Sequence, residues 1–129
     1  MTVRFEDILA WQKAYHFTLM VYKALANYPK DEKYGLCSQF QRAAVSIPAN
    51  IAEGYKRVGK NDKLHFFNFA QGSLEECRCY LHLSKDLCYI TQTAYDELYA
   101  TLEETSKLLN GYCKGILNNS YKSAAEEEL

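Results

Sequence analysis

The stretch Arg42-Ala-Ala-Val-Ser-Ile-Pro-Ala-Asn-Ile-Ala-Glu-Gly54 decides the fold. Ala43, Ala44, Ile47 and Ile51 recur at helical spacing, and Leu36 and Phe40 extend the same apolar face upstream. Gln39, Arg42, Ser46, Asn50 and Glu53 follow steps of three, four, four and three, a second and polar stripe beside the first. Pro48 interrupts the pattern chemically without interrupting its period. It removes one backbone donor and crowds the carbonyl of Ala44, which predicts a helix kinked at Pro48, with two shorter helices as the alternative. The helix is expected from about Asp31-Glu32-Lys33 to Lys56, with Gly54 and Gly59 at its end.

Three further helices surround this one. Trp11, Tyr15, Leu19, Tyr22 and Ala26 are spaced four, four, three and four apart, with Ile8, Ala14, Thr18, Val21 and Leu25 widening the stripe. They predict a helix from about Asp7, its cap, to Asn27, where Pro29 forces the chain out. Leu64, Phe67, Leu74, Cys77, Leu81 and Leu87 predict a third, from after Asn61-Asp62 to about Leu87. Tyr95, Leu98, Leu102, Thr105, Leu109, Tyr112 and Ile116 predict a fourth, from Thr93 to Asn118. Thr93 and Asp96 stand at capping-box spacing. Connections of about 4 to 8 residues between such helices specify an all-α, antiparallel up-down-up-down four-helix bundle. The expected domain is residues 1–118, followed by a flexible tail over 119–129.

Composition fits that architecture. A chain of 129 residues, 48% hydrophobic and 24% charged, can bury a core as one domain. Two prolines and six glycines favour long regular elements. Eleven tyrosines, with large apolar bodies and polar tips, suit half-buried surfaces such as subunit interfaces. No run of about 18 apolar residues suggests a membrane span, and no secretory leader is evident. The five cysteines (37, 77, 79, 88 and 113) form no CxxC pair, and Cys77 and Cys79 project about 200° apart on a helix. They are expected to be reduced thiols of a cytoplasmic protein, with no structural zinc.

The polar stripe predicts a structural network. Ser73 and Glu76 share a face of the third helix, so Arg42, buried against Glu53 or Glu76, with Ser46 and Asn50 completing the bonds, would satisfy every group and fix helix register. It could also supply a partner to the carbonyl that Pro48 orphans. Catalysis is not expected from these residues. An arginine neutralises the acids, and no histidine lies on the face. His16, His65 and His82 are not spaced with one another or with cysteine as metal ligands. No phosphate loop, Glu-x-x-His pair or nucleophile elbow occurs, so no catalytic residue, metal or cofactor is expected.

The run from Arg42 to Gly54, preceded by Glu32-Lys33-Tyr34-Gly35-Leu36 and Ser38-Gln39, closely resembles a family of bacterial four-helix-bundle proteins. These are named after the 23S ribosomal RNA intervening sequences that encode some of them, and the family includes the accessory protein of diversity-generating retroelements. Phe5-Glu-Asp-Ile-Leu-Ala-Trp-Gln-Lys13, Gly72-Ser-Leu-Glu-Glu76 and Lys85-Asp-Leu-Cys-Tyr-Ile90 carry the resemblance over nearly all of residues 4 to 117. It implies a ring-like homopentamer with a central channel, and a role in binding RNA or other nucleic acid. Arg42, Ser46, Pro48, Asn50, Glu53, Gly54, Ser73 and Glu76 match the family's characteristic residues. Gln41 stands where a second Arg is common, and Cys37 replaces a Thr or Ser.

Charge is locally uneven. The formal net charge is −1; without Glu126, Glu127 and Glu128, 15 basic and 13 acidic residues leave +2. Lys56, Arg57, Lys60 and Lys63 set four fixed positive charges against Asp62, a patch that an oligomer would multiply. Tyr55, Phe66 and Phe67 could stack on bases there, or pack in the core. Two functions are therefore expected to compete. One is an oligomeric nucleic-acid binder using this patch. The other is an oligomeric scaffold that recruits another protein, favoured by the tyrosines and the near-neutral charge.

Overall fold

The computed structural model describes the backbone of residues 4–127 and the side chains of residues 4–118. Four helices account for the architecture: α1 (Leu9–Leu25), α2 (Leu36–Lys56), α3 (Lys60–Asp86) and α4 (Gln92–Glu127), with short 3-10 turns at Phe5–Asp7 and Lys30–Glu32. Each helix packs on two others: α1 on α2 and α4, and α3 on α2 and α4. The result is a four-helix bundle closed around one core. Phe17, Phe40, Ile47, Ile51, Phe67, Leu74, Leu81, Leu102 and Leu109 fill its centre. The connection between α2 and α3 is only residues 57–59.

The termini differ from the sequence expectation in ways that local chemistry explains. Asp7 does not cap α1; it closes the preceding 3-10 turn, and the cap position falls on Ile8. α2 begins at Leu36 because Lys30–Glu32 is spent on a 3-10 turn. Glu32 then reaches forward, and its Oε1 accepts the Leu36 N–H at 3.2 Å. Gly35 leaves room for this approach: a Cβ there would stand 2.8 Å from that oxygen, and the Glu32 side chain would have to swing away. Thr91, and not Thr93, caps α4 by accepting the Ala94 N–H at 3.1 Å. α4 is helical as far as Glu127, past the expected end at Asn118. The flexible tail expected over 119–129 falls on side chains that lie outside the described residues.

α3 ends in a Schellman turn. The Tyr89 N–H donates to Ser84 O and the Cys88 N–H to Lys85 O, both at 2.9 Å. Cys88 takes the left-handed conformation, φ 62°, where glycine is usual. The turn delivers Tyr89 to α2, and its hydroxyl donates to Glu32 Oε2 at 2.7 Å. Tyr28 completes the same end of the bundle by donating to the fully buried Ser84 hydroxyl at 2.6 Å. Burial raises the Tyr28 pKa, so its hydroxyl stays a donor.

α2 is continuous through the buried Pro48. The missing N–H leaves Ala44 O without its helical donor, and Ala44 is 0% exposed, so water is not the answer. The Thr18 hydroxyl of α1 lies 2.9 Å from this oxygen and also 2.9 Å from Ala14 O. A hydroxyl has one proton. Ala14 O lies where the helical N–H of Thr18 already serves it, so the proton is best used on Ala44 O. The partner of the orphaned carbonyl is thus a threonine from the neighbouring helix, and not the polar stripe of α2.

Of the stripe expected for α1, the flank formed by Ile8, Ala14, Thr18 and Val21 is buried, whereas the central line of large residues is not the core face. Tyr15, Leu19 and Tyr22 are exposed at 47%, 46% and 46%, and Ala26 is exposed too. Trp11 is half-buried, wedged between Phe5 (ring centroids 5.1 Å) and Tyr15 (4.9 Å, stacked). The buried face is Ala10, Ala14, Phe17, Thr18 and Val21, about 100° round the helix from the Tyr15 side. Small residues there let α1 approach α2 closely enough for the Thr18 bond to form.

Replacing Thr18 by Val keeps the shape and strands the Ala44 carbonyl, and should cost about 1–3 kcal/mol in chemical denaturation; Thr18→Ser should retain most of the stability. A second expectation concerns pH. The Tyr89 hydroxyl, followed by the Leu36 N–H, holds the Glu32 carboxyl below its ordinary 4.5. A carboxyl depressed on folding contributes stability above its unfolded pKa, and that contribution is lost as pH falls through the folded value. The melting-temperature gap between the wild type and Tyr89→Phe should therefore narrow between about pH 6 and pH 3; a constant gap would mean that the hydroxyl acts on packing alone.

Candidate nucleic-acid interface

The four expected cations lie at the α2–α3 junction, in unequal circumstances. Lys56 is the last residue of α2 and Lys60 the first of α3; both are exposed and form no ion pair among the described residues. Lys63, half-buried, turns back onto the end of α2, donating to Tyr55 O at 2.7 Å and more distantly to Gly54 O at 3.4 Å. A cation on the last carbonyls of a helix also meets the negative end of its dipole, so Lys63 serves the fold. Arg57 lies between two carboxylates, 3.8 Å from Glu53 and 3.9 Å from Asp62. Both separations are too long for strong pairing, and at this exposure such pairs are worth little.

The aromatic residues divide sharply. Phe67 is fully buried, edge-on to Tyr112 at 5.2 Å and tight against Gly54. Tyr55 is half-buried against the core, with Lys63 5.6 Å from its ring centroid. Phe66 lies under Arg57, whose guanidinium carbon is 4.5 Å from the ring centroid. Two further rings complete the surface: His65, exposed, meets Phe69 at 4.6 Å with planes 72° apart, and Phe69 is 52% exposed. Phe69 was not among the expected stacking residues. Its signal was present in the spacing, three from Phe66 and four from His65, on the side of α3 away from Phe67, Ala70 and Leu74.

The network expected from the polar stripe is half formed. Ser73 donates to Ser46 Oγ at 2.8 Å, and the Asn50 amide donates to Ser46 Oγ and Ser46 O, both at 2.8 Å. The Ser73–Ser46 bond joins α3 to α2, and Asn50 holds Ser46 from within α2. Arg42, Glu53 and Glu76 are exposed, and Arg42 forms no ion pair among the described residues. Glu53 is spent on Arg57, and Glu76 sits beside Tyr80, whose hydroxyl is pushed up by burial and then by that carboxylate. The buried Arg42 pairing is therefore not made, because long charged side chains on a helix flank extend past the contact into water.

A second polar and aromatic surface occupies the α3–α4 groove. Tyr95 and Tyr99 stack at 5.5 Å, with Lys85 4.6 Å from the Tyr95 centroid. Arg78 donates to Tyr99 at 3.3 Å and is paired with Glu75 and Glu103. Its charges are satisfied internally. Among the described residues no three His, Cys, Asp or Glu side chains gather as a metal site. Burial pushes the thiols of Cys77, Cys113 and Cys37 up, away from reactive thiolate.

The family model of the 23S rRNA-intervening sequence protein matches residues 6–111. The chain belongs to that family. Among solved structures it is similar to a protein of Bacteroides thetaiotaomicron, described as of unknown function and from the S23 ribosomal protein family. Identity is 24% and the TM-score 0.77, over 84% of this chain and 98% of the other. At that identity the likeness establishes the fold alone. No curated protein matches. Neither description names a reaction.

Proposed function

We propose that this member of the 23S rRNA-intervening sequence protein family is a non-enzymatic, self-assembling bundle whose assembled surface binds RNA. The observation that carries the assembly is the α1 stripe of Tyr15, Leu19 and Tyr22, with Trp11 at its edge: large apolar side chains, in helical register, left on the outside of the protomer. Aromatic residues in such a stripe suit an interface core. The resemblance supplies the stoichiometry, a homopentamer. An up-down-up-down order with α2 kinked at Pro48 is the protomer geometry this reading assumes, and the short connection at 57–59 supports it. The free cysteines support a cytoplasmic setting.

RNA binding is supported by the family name and by Lys56 and Lys60, the two unpaired cations at the α2–α3 junction, repeated once per subunit. The alternative is a scaffold that recruits another protein. It is favoured by the carboxylates flanking Arg57 and by the commitment of Lys63 to the end of α2, which weaken the patch.

Light scattering on the eluting protein should give a mass near five times 14.9 kDa. Changing Tyr15, Leu19 and Tyr22 together to Ser should leave helical circular dichroism intact and lower the mass to 14.9 kDa; a parent protein already at that mass would exclude self-assembly. RNA affinity should fall with salt, and Lys56→Gln with Lys60→Gln should flatten the logarithmic slope by about 1–2. Undetectable affinity at about 50 mM salt would leave the scaffold as the function.

A further inference from the structure

Exposed His65 and Phe69, with half-buried Phe66 between them, form an aromatic shelf on the first half of α3, next to the basic junction but on a different side of α3 from Lys60. The core does not need it, since Phe67 and Ala70 fill that role from the opposite side of the helix. Its rings meet edge to face, His65 on Phe69 at 72°, His65 on Phe66 at 82° and Phe66 on Phe69 at 63°, and with both neighbours in place Phe69 is still 52% exposed. One turn further along, Gly72 leaves the helix bare: a Cβ there would meet nothing within 4 Å. No side chain therefore rises from position 72 against a planar group laid on Phe69. At the other end, Arg57 lies over Phe66, and its Nε is out of contact with water and has no hydrogen-bond partner.

We infer that this shelf is a stacking site for unpaired bases, and that the RNA bound here is single-stranded. The inference rests on the RNA-binding function proposed above and names the form of RNA. A duplex keeps its base faces stacked on one another, whereas a single strand offers them to aromatic side chains. One base lies on Phe69 with His65 at its edge. A backbone phosphate meets the exposed terminal nitrogens of the Arg57 guanidinium, supplying the strong acceptor that neither Glu53 at 3.8 Å nor Asp62 at 3.9 Å provides. Lys56 and Lys60 meet flanking phosphates. The size and charged rim of the shelf distinguish it from the α1 stripe, which is longer, carries no charge in register and suits a second copy of the chain.

The test compares oligouridylate with an RNA duplex of equal length on the assembled, full-length protein. His65→Ala with Phe69→Ala should weaken oligouridylate binding by about tenfold or more, leave its salt slope unchanged and leave duplex binding unaltered. Lys56→Gln with Lys60→Gln should instead weaken both ligands and flatten both slopes. Phe69→Trp should retain affinity, and the new indole should be quenched by oligouridylate but not by duplex. Equal oligouridylate affinity in the parent and the His65/Phe69 variant would overturn the shelf while leaving RNA binding standing. No binding of either RNA by the parent would remove both. Loss of assembly in the His65/Phe69 variant, with the indole shielded before RNA is added, would reassign the shelf to a protein contact and overturn the inference.

Discussion

A single hydroxyl proton, donated by Thr18 across the α1–α2 contact to the carbonyl of Ala44, is the constraint on which much of the bundle turns. Pro48 creates the need for it by removing the donor that a regular helix would supply. The unpaired carbonyl is sealed from water, so it must be served by protein. Serving it brings the backbones of α1 and α2 close together, and that closeness demands Ala10, Ala14 and Ala44 where larger residues would hold the helices apart. The core side of α1 is then Ala10, Ala14, Thr18 and Val21 around a single buried ring, Phe17, and its tyrosines lie elsewhere. Tyr15, Leu19 and Tyr22 consequently face outward, and the surface on which the proposed assembly rests follows from how one buried oxygen is satisfied.

The α2–α3 contact is built on a different principle. Its core is apolar, from Phe40 through Ile47 and Ile51 to Phe67, Leu74 and Leu81, and its flank is tied by Ser73, Ser46 and Asn50. At one end Glu32 links the start of α2 to Tyr89, just past α3; at the other Lys63 closes the last turn of α2. Hydrogen bonds of this kind add modest net energy, yet each specifies where along the helices the contact must register. Because the junction at 57–59 is so short, the same bonds fix the positions of Lys56, Arg57 and the aromatic shelf relative to one another.

Much of this was legible in the residues. The apolar face of α2 reads directly from its spacing, because Leu36, Phe40, Ile47 and Ile51 are aliphatic or aromatic and Ala43 and Ala44 fall in phase with them. The existence of four helices follows equally well. For α1 the spacing gives the buried flank of Ile8, Ala14, Thr18 and Val21 but not its centre: bulk dominates any periodic reading, and Trp11, Tyr15 and Tyr22 outweigh Ala10 and Ala14, although only close approach to a neighbour reveals what the alanines are for. Thr18 was seen as part of an apolar stripe because its decisive bond is to a residue 26 positions away. The polar stripe of α2 was placed on one face correctly, but sharing a face does not decide burial. Ser46 and Asn50 are short enough to stay in the contact, whereas Arg42 and Glu53 reach beyond it.

Gly54, the last residue of the run that identifies the fold, lies where Phe67 of α3 presses closest. A Cβ there would stand 2.9 Å from one ring carbon and 3.1 Å from two others, and the ring has no slack because Tyr112 backs it from α4. Positions 54 and 67 therefore share a single volume. Across sequences of this fold the two should vary as a pair: a methyl group gained on α2 has to be matched by bulk surrendered on α3. A glycine that looks like loop punctuation is in effect half of a space filled from the other helix.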